Sequence, residues 1–157
     1  MLTGLLLAGG MFYVAVTGAD NGSESAECGH RLVVLTPPSG EQGAQVEIKA
    51  ELALTDKQRQ KGLMFREHLA EDAGMMFFWE APQQIFMWMK NTLIPLDMIF
   101  IRGDEIVGIV KAENTENTTP LTVPARADKI LEVNYGFTGA RGIEKGWRVE
   151  TGPCISP

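Results

Sequence analysis

Cysteine and histidine are scarce in this chain, with two of each among 157 residues. Structural zinc sites need four ligands at regular spacing, and neither His30 nor His68 stands at ligand spacing from another ligand. A nucleophile elbow, a phosphate-cradling glycine loop and an EF-hand loop are also missing. No run of Lys or Arg occurs, and the formal net charge is −6. Nucleic-acid binders carry a basic footprint, so that class is set aside. No fixed-period repeat and no low-complexity stretch is present. The expectation is therefore a protein without a metal and without a cofactor.

Charge is absent from one place in particular. Residues Leu2 to Ala19 carry none, and the first charges are Asp20, Glu24 and Glu27. An uncharged apolar start followed by small residues at Thr17 and Ala19 reads as an export segment, cleaved after Ala19 or kept as a membrane anchor. The usual basic residues ahead of the apolar stretch are lacking. The expected organisation is a leader or anchor over residues 1–19, a polar tether over 20–30, and one β-rich domain over 31–157. Localisation is then periplasmic or extracellular, and any membrane contact runs through an uncleaved leader alone.

The two cysteines suit such a compartment. Cys28 follows the leader and Cys154 lies close to the C-terminus, so the pair brackets the domain. Oxidation would staple the two ends, and closing so long a loop stabilises by roughly 5 kcal/mol in the chain-entropy picture. The other reading is two free thiols near the chain ends.

Among the residues that are plentiful, 45% are hydrophobic, enough for one domain with a core. Their spacing is mostly that of strands. Val46, Ile48, Ala50, Leu52 and Leu54 alternate with polar residues, the period-two signature of a half-wet strand. Further strands are expected at Arg31–Thr36, Met75–Trp79, Ile85–Met89, Leu96–Ile101, Glu105–Lys111, Ile130–Tyr135 and Trp147–Thr151, with a hairpin at Arg102-Gly103-Asp104. Thr55, with Gln58 three residues on and Gly62 as a stop, spells a capping box on a short surface helix. A second helical turn is expected within Arg66–Ala73. Many short strands and little helix imply a mainly β fold, a small β-sandwich or barrel, jelly-roll-like, with one or two short helices.

The candidate site lies in Phe86–Phe100. This stretch is rich in Met and aromatic residues yet carries Lys90, Asn91 and Asp97. In the strand Leu96–Ile101 both faces are apolar, so Asp97 enters a buried sheet and must find donors or take up a proton. Lys90 and Asn91 are its nearest polar neighbours in sequence. Functionally, the group reads as a general base or a ligand clamp. Structurally, Asp97 would accept backbone N–H bonds from the Lys90-Asn91-Thr92 turn and pin it. Arg59 and Arg66 flank Gly62-Leu63-Met64; together they suit an anion, while the simpler reading pairs Arg66 with an acid, Asp97 or Glu132 among them, and leaves Arg59 in solvent. Glu132 shares a strand face with Ile130, opposite Leu131 and Val133. Methionines such as Met87 and Met89 suit Cu(I), but thioethers also fill irregular cores, which is the preferred reading.

Several of these motifs occur together: Arg59-Gln60-Lys61-Gly62-Leu63-Met64-Phe65-Arg66, Gly74-Met75-Met76-Phe77, Trp88-Met89-Lys90-Asn91-Thr92, Ile94-Pro95-Leu96-Asp97-Met98-Ile99-Phe100, and Leu131-Glu132-Val133-Asn134 with Gly136. As a set, spanning about Val46 to Val149, they resemble domain of unknown function family 192. The resemblance implies a mostly β, jelly-roll-like domain, often behind a signal sequence in bacteria and also found in archaea. It implies no established activity, substrate or cofactor. The motif residues it carries over are Arg59, Gly62, Met64, Arg66, Gly74, Met75, Trp88, Met89, Asn91, Pro95, Asp97 and Glu132, without an assigned role for any. The leader and both cysteines lie outside the matched region.

Three functions are thus carried forward. The first is an exported module binding a small molecule or an extended peptide, its pocket lined by Trp88, Met89 and Phe65 and anchored by Lys90, Asn91 and Asp97, with Arg66 and Glu132 as further ligand contacts. The second is an enzyme using Asp97 as base, with Arg66 or Lys90 stabilising an anion. The third is a structural or partner-binding domain without chemistry. Solvent access to Asp97 separates them.

Overall fold

The computed structural model describes residues 28–39 and 44–156. The leader over 1–19 and most of the tether lie outside these residues. Seven strands form a closed barrel: β1 (His30–Thr36), β2 (Val46–Ala53), β3 (Ala73–Gln83), β4 (Leu96–Arg102), β5 (Glu105–Ala112), β6 (Ala127–Asn134) and β7 (Arg148–Cys154). Two short helices are α1 (Asp56–Lys61) and α2 (Phe137–Arg141). Of the two expected architectures, the barrel is the one adopted.

Strand order around the barrel is β1-β2-β3-β6-β4-β5-β7. All pairs are antiparallel except β2 with β3, which is parallel because α1 and its following turn carry the chain back across. The seam between β5 and β7 is the weakest, held by the Glu105–Arg148 pairing and by flanking bonds such as Ile106 N–H to the Trp147 carbonyl (2.9 Å).

The strand alternation seen in the sequence sorts the apolar residues into two layers. Val33, Leu35, Ile48, Ala50, Met76, Ile99, Ile101, Leu131 and Val133 fill the barrel interior with Phe137 and Trp147. Met75, Phe77, Leu96, Met98, Phe100 and Ile130 point outward and are buried as well. The expectation that β4 is apolar on both faces holds, and its physical reason is this second layer.

What covers the outer layer differs from expectation. Ile85–Met89 is not a strand of the sheet. Its single ladder contact is Met87 with Leu121. The inward–outward alternation is real, since Ile85 and Met89 are buried while Phe86 and Trp88 are exposed. But Pro82 and the break after Gln83 turn the chain out of the sheet, and residues 84–95 run as a strap over the outer face. The strap is laced to the β5–β6 connection: Met87 and Leu121 exchange two backbone bonds of 2.8 Å, and Met89 N–H reaches the Asn117 carbonyl at 2.8 Å. β3 is instead one continuous strand through Glu80-Ala81-Pro82. Residues 66–72 form turns and no helix, whereas α2 was not expected.

The capping box on α1 forms as read: the Thr55 hydroxyl accepts from Gln58 N–H (3.3 Å) and the Gln58 side chain accepts from Thr55 N–H (2.9 Å). Cys28 and Cys154 are joined in a disulfide, their Cα atoms 5.7 Å apart, tying the chain ahead of β1 to the end of β7.

Candidate functional site

Asp97 is buried completely, at 0% exposure, as the sequence required. Its donors are different from those expected. Oδ2 accepts from the Thr138 hydroxyl (2.6 Å) and Thr138 N–H (2.9 Å), and Oδ1 accepts from Gly136 N–H (3.2 Å). The carboxylate thus caps the first turn of α2, whose own N-cap, Gly136, offers no side chain. The Lys90-Asn91-Thr92 turn plays no part in holding it. Asp97 lies on the interior face of β4 with Ile99 and Ile101, out of reach of a ligand. It is a structural cap, and this corrects its use as a pocket anchor or a general base.

The acid that does meet a cavity is Glu132. It lies on the outer face of β6, with Met75 of β3 and Met98 of β4 as its ladder neighbours. It is 4% exposed, and among the described residues no hydrogen bond or ion pair reaches it. Every fully enclosed side-chain nitrogen or oxygen among the described residues is hydrogen-bonded. An unpaired Glu132 carboxyl is therefore one whose oxygens open onto space, and that space is a cavity of about 190 Å³. Burial alone pushes the Glu132 carboxyl from the ordinary 4.5 up to about 8. Removing a carboxylate from water without donors disfavours its charge, so the group holds its proton at neutral pH.

Leu63, Phe77 and Thr92 are the other buried members of the cavity lining; Trp79 and Met87 are half-buried, and Phe86 and Trp88 are 57% and 47% exposed. Asp56, Gln60 and Lys61 of α1 bring polar groups to its outer part. A broader groove of about 640 Å³ beside β3 shares Arg59 and Trp79 with it, but none of that groove's residues is a buried titratable group.

Arg59 is not a solvated arginine, which corrects the sequence reading. Its guanidinium donates to the Leu54 carbonyl (2.7 Å) and the Phe78 carbonyl (2.7 Å), pairs with Asp56, and lies 5.4 Å over the Trp79 ring. These bonds stitch α1 to the end of β2 and the middle of β3 and engage three of the arginine's five N–H donors. Arg66 is paired, as expected of it, but with Glu51 and not with Asp97 or Glu132; the fork is bidentate, its second bond 2.7 Å. That hydrogen bond holds Glu51 below the usual carboxylate range. Two arginines gripping one anion between them is thus not the arrangement found.

The remaining sequence candidates divide. Trp88 lines the cavity. Met89 is at 0% exposure in the outer core, a packing residue. Lys90 is exposed and outside the cavity lining. Asn91 and Phe65 both adopt left-handed backbone, at φ 54° and 65°, and Phe65 N–H donates to the Asn91 carbonyl at 2.8 Å. For a bulky aromatic this costs about 1–3 kcal/mol, and the two strained residues meet where the α1–β3 connection joins the strap. Phe65 itself is 66% exposed and does not line the cavity. Of the ligand-contact candidates from the sequence, Trp88 and Glu132 are the two that line this cavity. Sequence reasoning missed Trp79, Phe86 and Phe77 as its aromatic walls, for which the only signal was their clustering on either side of Pro82.

No cluster of three or more His, Cys, Asp or Glu side chains with metal-binding proximity occurs among the described residues.

Fold and site together define a small closed β-barrel with a pocket under laced loops, walled by aromatics and floored by an uncompensated acid. The chain belongs to domain of unknown function family 192, whose profile, described as "Uncharacterized ACR", matches residues 39–151. Solved structures similar to it include the following two. One, from Sinorhizobium meliloti 1021 and described as a candidate transcription regulator, is 32% identical, with 79% of this chain and 95% of that chain covered and a TM-score of 0.73. The other, a protein of unknown function from Novosphingobium aromaticivorans DSM 12444, is 33% identical, with 90% and 99% covered and a TM-score of 0.72. No significant match is found among curated proteins.

Proposed function

We propose that this protein is an exported binding module for a small molecule or for a side chain of an extended peptide, and that the ligand enters the cavity above Glu132. The observation that carries this reading is the unpaired, nearly buried Glu132 carboxyl opening onto an aromatic-walled space. Folding gains nothing from such a group, which a buried Gln or Met would replace at lower cost. Small-molecule sites combine apolar walls with a few converging polar groups. The cavity, near 190 Å³, suits a small ligand or one inserted side chain.

Export rests on the uncharged stretch from Leu2 to Ala19, with a tether to residue 30 and a single domain from residue 31 onward. The Cys28–Cys154 disulfide supports an oxidising compartment. Among the described residues no helix is long and apolar enough to cross a membrane. Direct DNA binding of the kind suggested by the description of the Sinorhizobium protein is disfavoured by the net charge of −6.

Both Trp79 and Trp88 line the cavity, so their indole resonances report on its occupancy. The test is a two-dimensional NMR titration with indole, phenol, n-butylamine and pentan-1-ol as probes. Saturable shifts of Trp79, Trp88 and Thr92 resonances are expected from at least one probe. Shifts confined elsewhere, or none, overturn the reading.

A further inference from the structure

The walls and the floor of the cavity ask for one kind of head group. Resting on the proposed binding function, we infer that the ligand group received at Glu132 is a primary alkylammonium, from a free amine or from a lysine side chain, and that its arrival drives the Glu132 proton out to solvent.

Three observations converge. The Glu132 oxygens are acceptors without donors, and a primary ammonium brings three N–H groups, whereas a quaternary ammonium brings none. Phe77, Trp79, Phe86 and Trp88 line the approach, and aromatic faces attract cations more strongly as water is excluded. Trp79 already displays this preference, with the Arg59 guanidinium 5.4 Å from its ring centroid. That cation is the chain's own, held in place by two backbone carbonyls and by Asp56. Of the lining cations, Arg59 is already engaged by three acceptors and Lys61 is exposed on α1, so the buried part of the cavity offers an anion no uncommitted positive charge.

The charged groups facing the site are few. α1 contributes Asp56, Arg59 and Lys61 to the lining. From β3 and β4 the ladder neighbours are Met75 and Met98, neither charged. The strap contributes Phe86, Met87, Trp88 and the neutral hydroxyl of Thr92. Burial is the sole cause that raises the carboxyl to about 8, so Arg59 and Lys61 do not already neutralise it. The balanced step is a protonated Glu132 and a free alkylammonium giving a carboxylate–ammonium pair and one released proton. No covalent bond to carbon forms or breaks.

The test is calorimetric and NMR titration of the folded protein with n-butylamine, Nα-acetyl-lysine methylamide, pentan-1-ol and butanoate between pH 6 and 9. Lysine-type amines stay protonated through this range. Either amine is expected to bind at least about tenfold more tightly than the alcohol at pH 9, with butanoate excluded. Its affinity should fall about tenfold per pH unit below 8, with one proton released per amine bound in buffers of different ionisation heat. Tighter binding of the capped lysine identifies a peptide as the source; tighter binding of butylamine identifies a free amine. Glu132→Gln, close in shape to the protonated acid, should stay folded and lose the amine preference and the pH slope. Equal or tighter binding of alcohol or butanoate, or a pH-independent amine affinity, overturns this inference and leaves the pocket standing. Failure of every probe at this cavity overturns both.

Discussion

Thr138 binds Asp97 twice, through its hydroxyl at 2.6 Å and its backbone N–H at 2.9 Å, and so α2 begins on a carboxylate supplied by β4. Phe137 of the same helix is buried in the barrel interior. The pair therefore closes one end of the core by tertiary contact and not by a local cap. Asp97→Ala leaves the buried N–H of Thr138 and the half-buried N–H of Gly136 without an acceptor. Hydrogen bonds to a charged group are worth about 1.5–3 kcal/mol, so a loss on the order of 3 kcal/mol is expected in urea unfolding. Asp97→Asn should lose less, and ligand shifts at the Glu132 cavity should persist in it. Abolished binding in a stably folded Asp97→Asn protein would contradict the capping role.

Glu132 imposes a pH slope on stability with an unusual sign. Its folded carboxyl titrates near 8, against an ordinary 4.5, so between these values the native state holds a proton that the unfolded chain has released. Stability falls with rising pH wherever the native state binds more protons, so the protein weakens from about pH 4.5 upward and levels off above 8. At about 1.36 kcal/mol per tenfold difference in proton affinity, the penalty at pH 9 is at most about 5 kcal/mol. Glu132→Gln should match the parent near pH 5 and exceed its stability at pH 9. Parallel unfolding curves across that range would remove the basis for a desolvated acid.

Gly74 sits opposite Val133, one residue away from the Met75–Glu132 pairing. A Cβ placed there would lie 2.7 Å from the Glu132 carbonyl oxygen and 3.2 Å from Ile48 Cγ2. Backbone on one side and a barrel side chain on the other leave no easy relaxation. Gly74→Ala is expected to cost about 1–3 kcal/mol and to disturb the β3–β6 ladder, seen as faster amide exchange at residues 74–76 and 131–133. A neutral or stabilising substitution would show that the two strands can separate freely.

The disulfide closes nearly the whole domain, with 126 residues separating its ends. Reduction, or Cys154→Ser, should lower unfolding free energy by roughly 2–5 kcal/mol, read as a drop in thermal midpoint relative to oxidised protein. Two titratable thiols in protein taken from its own compartment would refute the staple.

Much of the barrel was legible because strand burial writes itself at period two. Val46–Leu54, the two-faced β4 and the Thr55–Gln58 capping box were all local patterns that tertiary structure reinforced. Residues 85–89 misled for the same reason. Their alternation reports which side chains face the core, and a strap packed on a sheet needs that as much as a strand does. α2 was invisible since five residues, Phe-Thr-Gly-Ala-Arg, hold no helical period and depend on a carboxylate 41 positions earlier in the chain. Likewise Asp97 and Glu132 look alike as acids in apolar strands. The sequence argued burial for Asp97 alone and left Glu132 as a possible partner of Arg66; only the topology places donors around one and empty space beside the other. Arg59 appeared solvated because two of its three partners are backbone carbonyls, which carry no sequence signature.

Because Cys28 is bonded to Cys154, and β1 pairs with both β2 and β7, tension applied to the polypeptide ahead of Cys28 is divided between two strands at once. Opening β1 from its Cys28 end therefore has to carry the end of β7 with it.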